Sequence, residues 1–160
     1  MLDSNSFKCI LKNTNLFAFD LILQDQNDKI LLGLRRNKPA KNFWFVPGGR
    51  VYKNEALIDG LKRILINETG LTIEDIFNVR IHGLYDHLYP DNFFEDASFN
   101  THYIICCLKA DIKSGKCIKK DEQHTGLSFF SPEQIQTDNT IHQFTKNYFL
   151  DKPDNRFPFF

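Results

Sequence analysis

Residues 48–71 read GGRVYKNEALIDGLKRILINETGL, and this stretch decides the fold. From Leu57 to Leu65 apolar side chains recur at three- and four-residue steps, which is the spacing of a helix with one apolar face. Gly70 can end this helix, because glycine readily adopts the left-handed conformation found just beyond many helix C-termini. The sequence therefore predicts a glycine-rich loop followed by a helix over roughly 55–68.

Short apolar and β-branched runs on both sides of this helix predict strands. The runs at 17–23 and 30–34 are separated by the turn residues 25–28, so they predict a hairpin. Ser131-Pro132 predicts a helix start, since proline suits the first helical position. The order strands, helix, strands, helix indicates one α+β domain with a mixed sheet. The remaining predicted segments are strands at 43–46, 79–84, 103–108 and 127–130, a helix around 141–150 and a long connection at 85–101.

Length and composition narrow the class of protein. The chain has 160 residues, a usual size for one domain of 1–160. Twenty basic residues balance twenty acidic ones, so no whole-molecule field favours nucleic acid or a membrane surface. No apolar run approaches the roughly 18 residues of a membrane span. The four cysteines lack zinc-ligand spacing, and we expect reduced thiols in a cytoplasmic protein.

Glu68 is the first candidate for chemistry. It lies seven positions after Leu61, on the apolar face of the predicted helix, so it is expected to point inward. A carboxylate near a helix C-terminus opposes the helix dipole and needs a cation nearby. Mg²⁺ prefers such oxygen ligands, and the glycines at 48 and 49 would let the backbone approach an ion closely. An isolated glutamate there would more often be a solvated helix end.

The stretch from 49 to 71 resembles the Nudix box, a glycine, glutamate and arginine pattern that ends in a glutamate pair, glycine and an aliphatic residue. Two positions depart from it, because Ile64 and Asn67 stand where the family has glutamates. Ordinary members gather several divalent ions with those carboxylates to activate water against phosphorus. We therefore expect this chain to hold one Mg²⁺ per subunit, with Mn²⁺ as a substitute. The matching residues are Gly49, Glu55, Arg63, Leu65, Glu68, Gly70 and Leu71.

The degenerate box is similar to that of the GDP-mannose mannosyl hydrolase branch, and the resemblance covers nearly the whole chain. It implies an α/β/α sandwich around a mixed β-sheet. It also implies hydrolysis of GDP-mannose, or GDP-glucose, at the anomeric carbon to GDP and free hexose. A homodimer and a place in polysaccharide biosynthesis are further family expectations. The matching stretches are LLGLRRNKPA at 31–40, FWFVPGGRV at 43–51, HLYPDNF at 87–93, THY at 101–103 and DEQH at 121–124.

The same resemblance assigns roles to individual residues. Mg²⁺ would be held by the Gly48 carbonyl, the Glu68 carboxylate and the Gln123 side chain, all oxygen donors. His124 would be the general base, since an imidazole titrates near neutral pH. Asp20 would orient or assist it. A carboxylate inside an apolar strand needs a partner, so a structural hydrogen-bonding role for Asp20 also stays open.

The remaining assignments concern the substrate. Arg35 would also aid departure of the diphosphate, because a guanidinium can make two hydrogen bonds to it at once. For Arg63 a structural role also stays open, because ion pairs with Glu55, Asp59 or Glu68 would hold the box together. The residues assigned to the substrate are Arg35, Arg50, Arg63, Tyr103 and His87.

Three alternatives stay open on sequence alone. A conventional Nudix pyrophosphohydrolase would release a nucleoside monophosphate and a sugar phosphate. The replaced glutamates also suit a non-catalytic nucleotide-binding module. Finally, the aromatic tail at 151–160, with Phe157, Phe159 and Phe160, is expected to be flexible or to dock a second subunit or another partner.

Overall fold

The structure is a computed structural model that describes residues 3–116, 118, 124–151 and 153–158, with only the backbone of residues 124 and 125. Seven strands and four α-helices lie within those ranges, with a 3₁₀ turn at Ile73–Asp75. The strands are β1 Leu16–Gln24, β2 Ile30–Arg35, β3 Trp44–Phe45, β4 Gly48–Arg50, β5 Ile76–Tyr89, β6 Thr101–Ile112 and β7 His124–Phe130. The helices are α1 Ser4–Asn13, α2 Leu57–Thr69, α3 Pro132–Thr137 and α4 Gln143–Asn147.

The strands form one mixed sheet in the order β3-β2-β1-β6-β5, with β4 paired to β1 and β7 paired to β2. β1 and β6 are parallel, and the other pairs are antiparallel. The predicted hairpin is β1–β2, and the mixed sheet is confirmed. β1 lies at the centre, so its side chains reach both faces of the sheet.

Two apolar clusters cover the two faces. Ile22 of β1 packs in one cluster with Ile135 and Tyr148 from the C-terminal helical segment. Leu21, its neighbour on the strand, packs in the other cluster with Leu65 of α2. This alternation makes the α/β/α sandwich, and the predicted fold class is confirmed.

The decisive helix of the sequence is α2, and it begins two residues later than expected. Gly70 follows it with φ of 72°, the left-handed conformation predicted for its end. Leu61 and Leu65 are buried as the spacing required, whereas Leu57 is 57% exposed and does not belong to the inward face. The expected inward position of Glu68 is confirmed, since only 4% of the residue is exposed.

Two segments expected to be loops are strands. Residues 85–89 complete β5, so the true connection to β6 is 90–100 rather than 85–101. The glycine pair at 48 and 49 belongs to β4, where Gly48 pairs with Asp20 of β1. A Cβ on residue 48 would collide with the Asp20 carboxylate and the Phe19 carbonyl, so only glycine permits this close pairing.

The terminal segments pack onto the domain. α1 was not predicted, although Asp3 caps it by accepting hydrogen bonds from the backbone of Asn5 and Ser6. The tail runs beside β5, where the Asp86 amide donates to the Asn155 carbonyl and the Phe157 amide donates to the Leu84 carbonyl. Within the described ranges, no helix has both the length and the apolar character needed to cross a bilayer.

Candidate active site

A cavity of about 200 Å³ opens beside the box, between β1, β4, α2 and β5. Tyr89, Phe45 and the edge residue Asn67 contribute to its wall. Three guanidinium groups and two carboxylates meet there, which suits an anionic ligand that brings a cation with it. The residues assigned from the sequence that line it are Asp20, Arg35, Gly48, Arg50, Arg63, Glu68, His87 and Tyr103.

The Asp20 carboxyl forms part of the cavity floor. It is 6% exposed and accepts a hydrogen bond from the Tyr148 hydroxyl at 2.5 Å. Burial raises the pKa of Asp20 to about 7, although the Tyr148 hydrogen bond and the Arg35 charge act to lower it. Asp20 therefore has the partner that a carboxylate in an apolar strand was expected to need.

His87 lies beside Asp20 and is almost completely buried. Its Nε2 is 3.1 Å from the Tyr148 hydroxyl, and its ring stacks on Phe144 at a centroid distance of 4.2 Å. Burial, followed by the charges of His142 and Arg35, lowers the pKa of His87 to about 3. The imidazole is therefore neutral at physiological pH and cannot act there as a cationic anchor for phosphate.

Arg35 and Arg50 both line the cavity. Arg35 donates from Nε to the Pro39 carbonyl at 3.0 Å, which aims the rest of the guanidinium. The Arg50 guanidinium lies 4.1 Å from the ring centroid of Phe7 on α1, a cation–π contact. Both side chains are thus held before any ligand arrives, which reduces the entropy cost of binding one.

Arg63 has the structural role that the sequence left open. Its Nε and Nη2 donate to the two carboxylate oxygens of Glu55 at 2.6 and 2.7 Å. Nη2 also donates to the Arg50 carbonyl at 2.8 Å, and the guanidinium covers the ring of Tyr52 at 4.0 Å. The Glu55–Arg63 ion pair therefore connects α2 to the loop that precedes it, while Arg63 still lines the cavity.

We expect Glu55→Gln to destabilise the protein at neutral pH and to have no effect in strong acid. The Arg63 hydrogen bond, more than any other contact, lowers the pKa of Glu55 from 4.5 to about 2. A depressed carboxyl pKa stabilises the fold above the unfolded value and stops doing so as pH falls through the folded value. Urea midpoints should therefore differ above pH 4.5 and converge towards pH 2.

The matched control is Glu133→Gln, which neutralises an exposed carboxylate in the first turn of α3. Its urea midpoint should differ from wild type by less than that of Glu55→Gln at neutral pH. Equal midpoints for the two variants would contradict the structural role of the Glu55–Arg63 pair.

The DEQH stretch lies mostly outside the described residues. Gln123, assigned to the metal, lies outside the described residues, as do residues 121 and 122. The backbone of His124 begins β7 and pairs with Arg35 of β2. Because Arg35 lines the cavity, this register brings the backbone of His124 to a neighbouring strand position.

Comparison with known proteins identifies the family. A model of the NUDIX domain matches residues 14–151, most of the chain. The chain belongs to the Nudix family. It is 30% identical over 149 residues to the low-salt glycan biosynthesis protein Agl8 of Haloferax volcanii, covering 92% of this chain and 88% of that protein.

Two other similarities are more limited. The m7GpppN-mRNA hydrolase NUDT17 of Danio rerio is 38% identical over 73 residues, covering 44% of this chain and 24% of that protein. The crystal structure of a MutT NUDIX hydrolase from Burkholderia pseudomallei has a TM-score of 0.68 at 19% identity. It covers 86% of this chain and 97% of the other, and the likeness shows the fold.

Nudix hydrolases bind nucleotide-linked substrates and generally use a divalent metal such as Mg²⁺. Glu68 and Gly48 suit such an ion, because a buried carboxylate and a glycine backbone line the same cavity. No group of three His, Cys, Asp or Glu side chains in the described part of the chain is arranged to hold a metal. Hard oxygen donors from the backbone or an amide would have to complete the set.

The altered Nudix box has a physical explanation at position 64. Ile64 is 2% exposed and packs beneath Gly49, where a Cβ would be 3.1 Å from its side chain. A glutamate at 64 would place a charge in this apolar contact. Asn67 remains at the cavity edge but carries no charge. The box therefore keeps one inward carboxylate, Glu68.

Tyr148 is a residue of the site that the sequence did not reveal. The helix predicted around 141–150 is shorter, Gln143–Asn147, and no motif marks the tyrosine that follows it. Its hydroxyl nevertheless contacts Asp20 and His87, which are 128 and 61 positions away. To predict this role of Tyr148, one would have to know how the two C-terminal helices pack on the sheet.

Proposed function

We propose that this Nudix hydrolase cleaves a GDP-hexose, in the first place GDP-mannose, at the anomeric carbon to give GDP and free hexose. GDP-glucose is the second substrate to test. The observation that carries the proposal is the reduced carboxylate set of the box, with Ile64 buried as a core residue and Glu68 retained. Attack on carbon is less demanding of metal ions than attack on phosphorus, because GDP is already a good leaving group once neutralised.

The charges around the cavity support this choice. Arg35 and Arg50 are held in place and can donate to diphosphate oxygens, while the Tyr103 hydroxyl supplies a neutral donor. Gly48, Glu68 and Gln123 would hold Mg²⁺, which when bound neutralises negative charge that develops on the leaving diphosphate. Arg63 adds positive charge to the same wall while it remains paired with Glu55.

The reaction requires one proton acceptor. Water oxygen forms a bond to the anomeric carbon as the bond from that carbon to the diphosphate oxygen breaks, and the electron pair leaves with GDP. We assign the proton released by the water to His124 as general base. Asp20 and His87 are buried residues of the same cavity and would contact the bound substrate.

A related protein supports the link to sugar nucleotides. The relative from Haloferax volcanii is described as a low-salt glycan biosynthesis protein, and its similarity extends over 92% of this chain. A role in glycan or polysaccharide precursor metabolism is the corresponding proposal here. The homodimer and the cytoplasmic location stay predictions, and light scattering of the purified protein tests the first.

Hydrolysis of GDP-mannose in ¹⁸O-labelled water tests the proposal directly. We expect the label in mannose and none in the nucleotide, because water attacks carbon. Mass spectrometry of both products makes the measurement. Label in a phosphate group, with GMP and mannose phosphate as products, would instead identify a conventional Nudix pyrophosphohydrolase. Binding of GDP-mannose without any product would identify a non-catalytic module.

A further inference from the structure

A chain of hydrogen-bonding side chains extends from the cavity wall to Tyr148 behind it. The Tyr148 hydroxyl is 2.5 Å from Oδ2 of Asp20 and 3.1 Å from Nε2 of His87. On the far side of the imidazole, the Tyr89 hydroxyl lies 3.5 Å from Nδ1. Asp20, His87 and Tyr89 line the cavity, whereas Tyr148 lies behind them and is 2% exposed.

We propose that Tyr148 is a positioning residue, which fixes the Nε2–H tautomer of His87 and the orientation of the Asp20 carboxylate by setting the direction of every hydrogen bond in this chain. Tyr148 acts through the residues that line the cavity. The part of the inference that concerns turnover rests on the proposed function, whereas the part that concerns His87 does not.

Proton counting gives the direction of each bond. The Tyr148 hydroxyl has a single proton, and an ionised carboxylate can only accept. Above the pKa of Asp20, about 7, the carboxylate is ionised and takes that proton, so the contact with His87 requires Nε2–H as the donor. A neutral imidazole carries one N–H, so Nδ1 is an acceptor and faces the Tyr89 hydroxyl. The strong burial of His87 keeps the imidazole neutral.

Tyr148 is itself held firmly enough to impose this order. Its carbonyl accepts a hydrogen bond from Nε2 of His82 at 2.7 Å. Its ring meets the ring of Tyr85 edge-on, with centroids 4.7 Å apart. The backbone and the ring are therefore fixed independently of the hydroxyl, and removal of the hydroxyl should leave the packing intact.

The consequence for Asp20 is a fixed carboxylate. Its Oδ2 is bound by Tyr148, and its Oδ1 faces Gly48, where any Cβ would collide with it. Rotation of the carboxylate would break the Tyr148 bond at a buried site, which is costly. Asp20 thus presents one defined oxygen beside a predicted ligand of the metal.

The test compares Tyr148→Phe with Tyr85→Phe. The second variant removes a hydroxyl from an adjacent buried tyrosine that takes no part in this series of hydrogen bonds. Long-range ¹H–¹⁵N spectra of the labelled, substrate-free protein in mildly alkaline buffer report the tautomer of His87. We expect Nε2–H in wild type and in Tyr85→Phe, and a mixture of tautomers in Tyr148→Phe. Because misplaced groups lower turnover steeply, kcat of Tyr148→Phe should fall about ten-fold or more, with KM within about two-fold.

Each outcome distinguishes the inference from the proposed function. An Nδ1–H tautomer in wild type, or an unchanged tautomer in Tyr148→Phe, would overturn the inference without involving catalysis. An unchanged kcat would overturn the part that concerns Asp20. The expected spectra, combined with failure to hydrolyse GDP-mannose, would uphold the role of Tyr148 in fixing His87 while the proposed function falls.

Discussion

Glu68→Gln is expected to abolish stabilisation of the protein by Mg²⁺ and to lower kcat by about 10²-fold or more. Of the three box positions where the family has metal-binding glutamates, only position 68 keeps a carboxylate in this chain. Only 4% of Glu68 is exposed. An amide retains the shape and hydrogen-bonding capacity of the side chain but removes its charge. Removal of one charged ligand from so small a ligand set should therefore affect the ion far more than the fold.

The measurement is thermal unfolding over a titration of Mg²⁺, alongside GDP-mannose hydrolysis. A ligand at 100 times its Kd stabilises the native state by about 2.7 kcal/mol, so wild type should gain several degrees. Glu68→Gln should gain little, whereas the exposed control Glu133→Gln should behave as wild type. An equal response to Mg²⁺ in wild type and Glu68→Gln would remove Glu68 from the metal site.

Hydrophobic spacing predicted the framework because most of the elements it identified have an ordinary buried face. The apolar steps of α2 put Leu61 and Leu65 into the core, and β1 sends alternate side chains to both faces of the sheet. Leu57 was assigned wrongly because spacing alone cannot tell where the covered part of a helix begins. Glu68 was assigned correctly because it shares the spacing of the buried residues.

The same pattern failed where the sheet forms the site. In the last part of β5 the inward residues are Tyr85, His87 and Tyr89, while Leu88 between them is 59% exposed. The rings of His87 and Tyr89 line the cavity and a leucine faces outward, which inverts the usual alternation of a half-buried strand. Such conflicts between local pattern and structure are expected at functional sites. This inversion made a strand resemble a long loop.

Asn92 gives a second case from the same region. Its polar side chain is hydrogen-bonded within its own loop. The amide donates to the carbonyls of Asp96 and Phe99 at 2.7 and 2.8 Å, and its oxygen accepts from the Phe94 amide. The residue type indicates a polar group here, and the hydrogen bonds show that this group stabilises the connection 90–100.

His124→Gln is expected to lower kcat for GDP-mannose by about 10²- to 10⁴-fold, the usual cost of losing a general base. The pairing of His124 with Arg35 in adjacent strands puts its backbone next to a cavity residue. Glutamine can still form hydrogen bonds but cannot take up the proton of the attacking water. Stabilisation by Mg²⁺ should persist, because His124 is not among the predicted metal ligands.

The control is His102→Gln, which removes an imidazole paired with Asp86 at 3.1 Å on the outer side of β6. It should retain turnover, so that a loss specific to position 124 cannot be ascribed to losing any histidine. Turnover of His124→Gln equal to that of His102→Gln would exclude the imidazole as the base. Asp20 would then be the strongest remaining acceptor in the cavity, because its pKa of about 7 is suited to proton transfer near neutral pH.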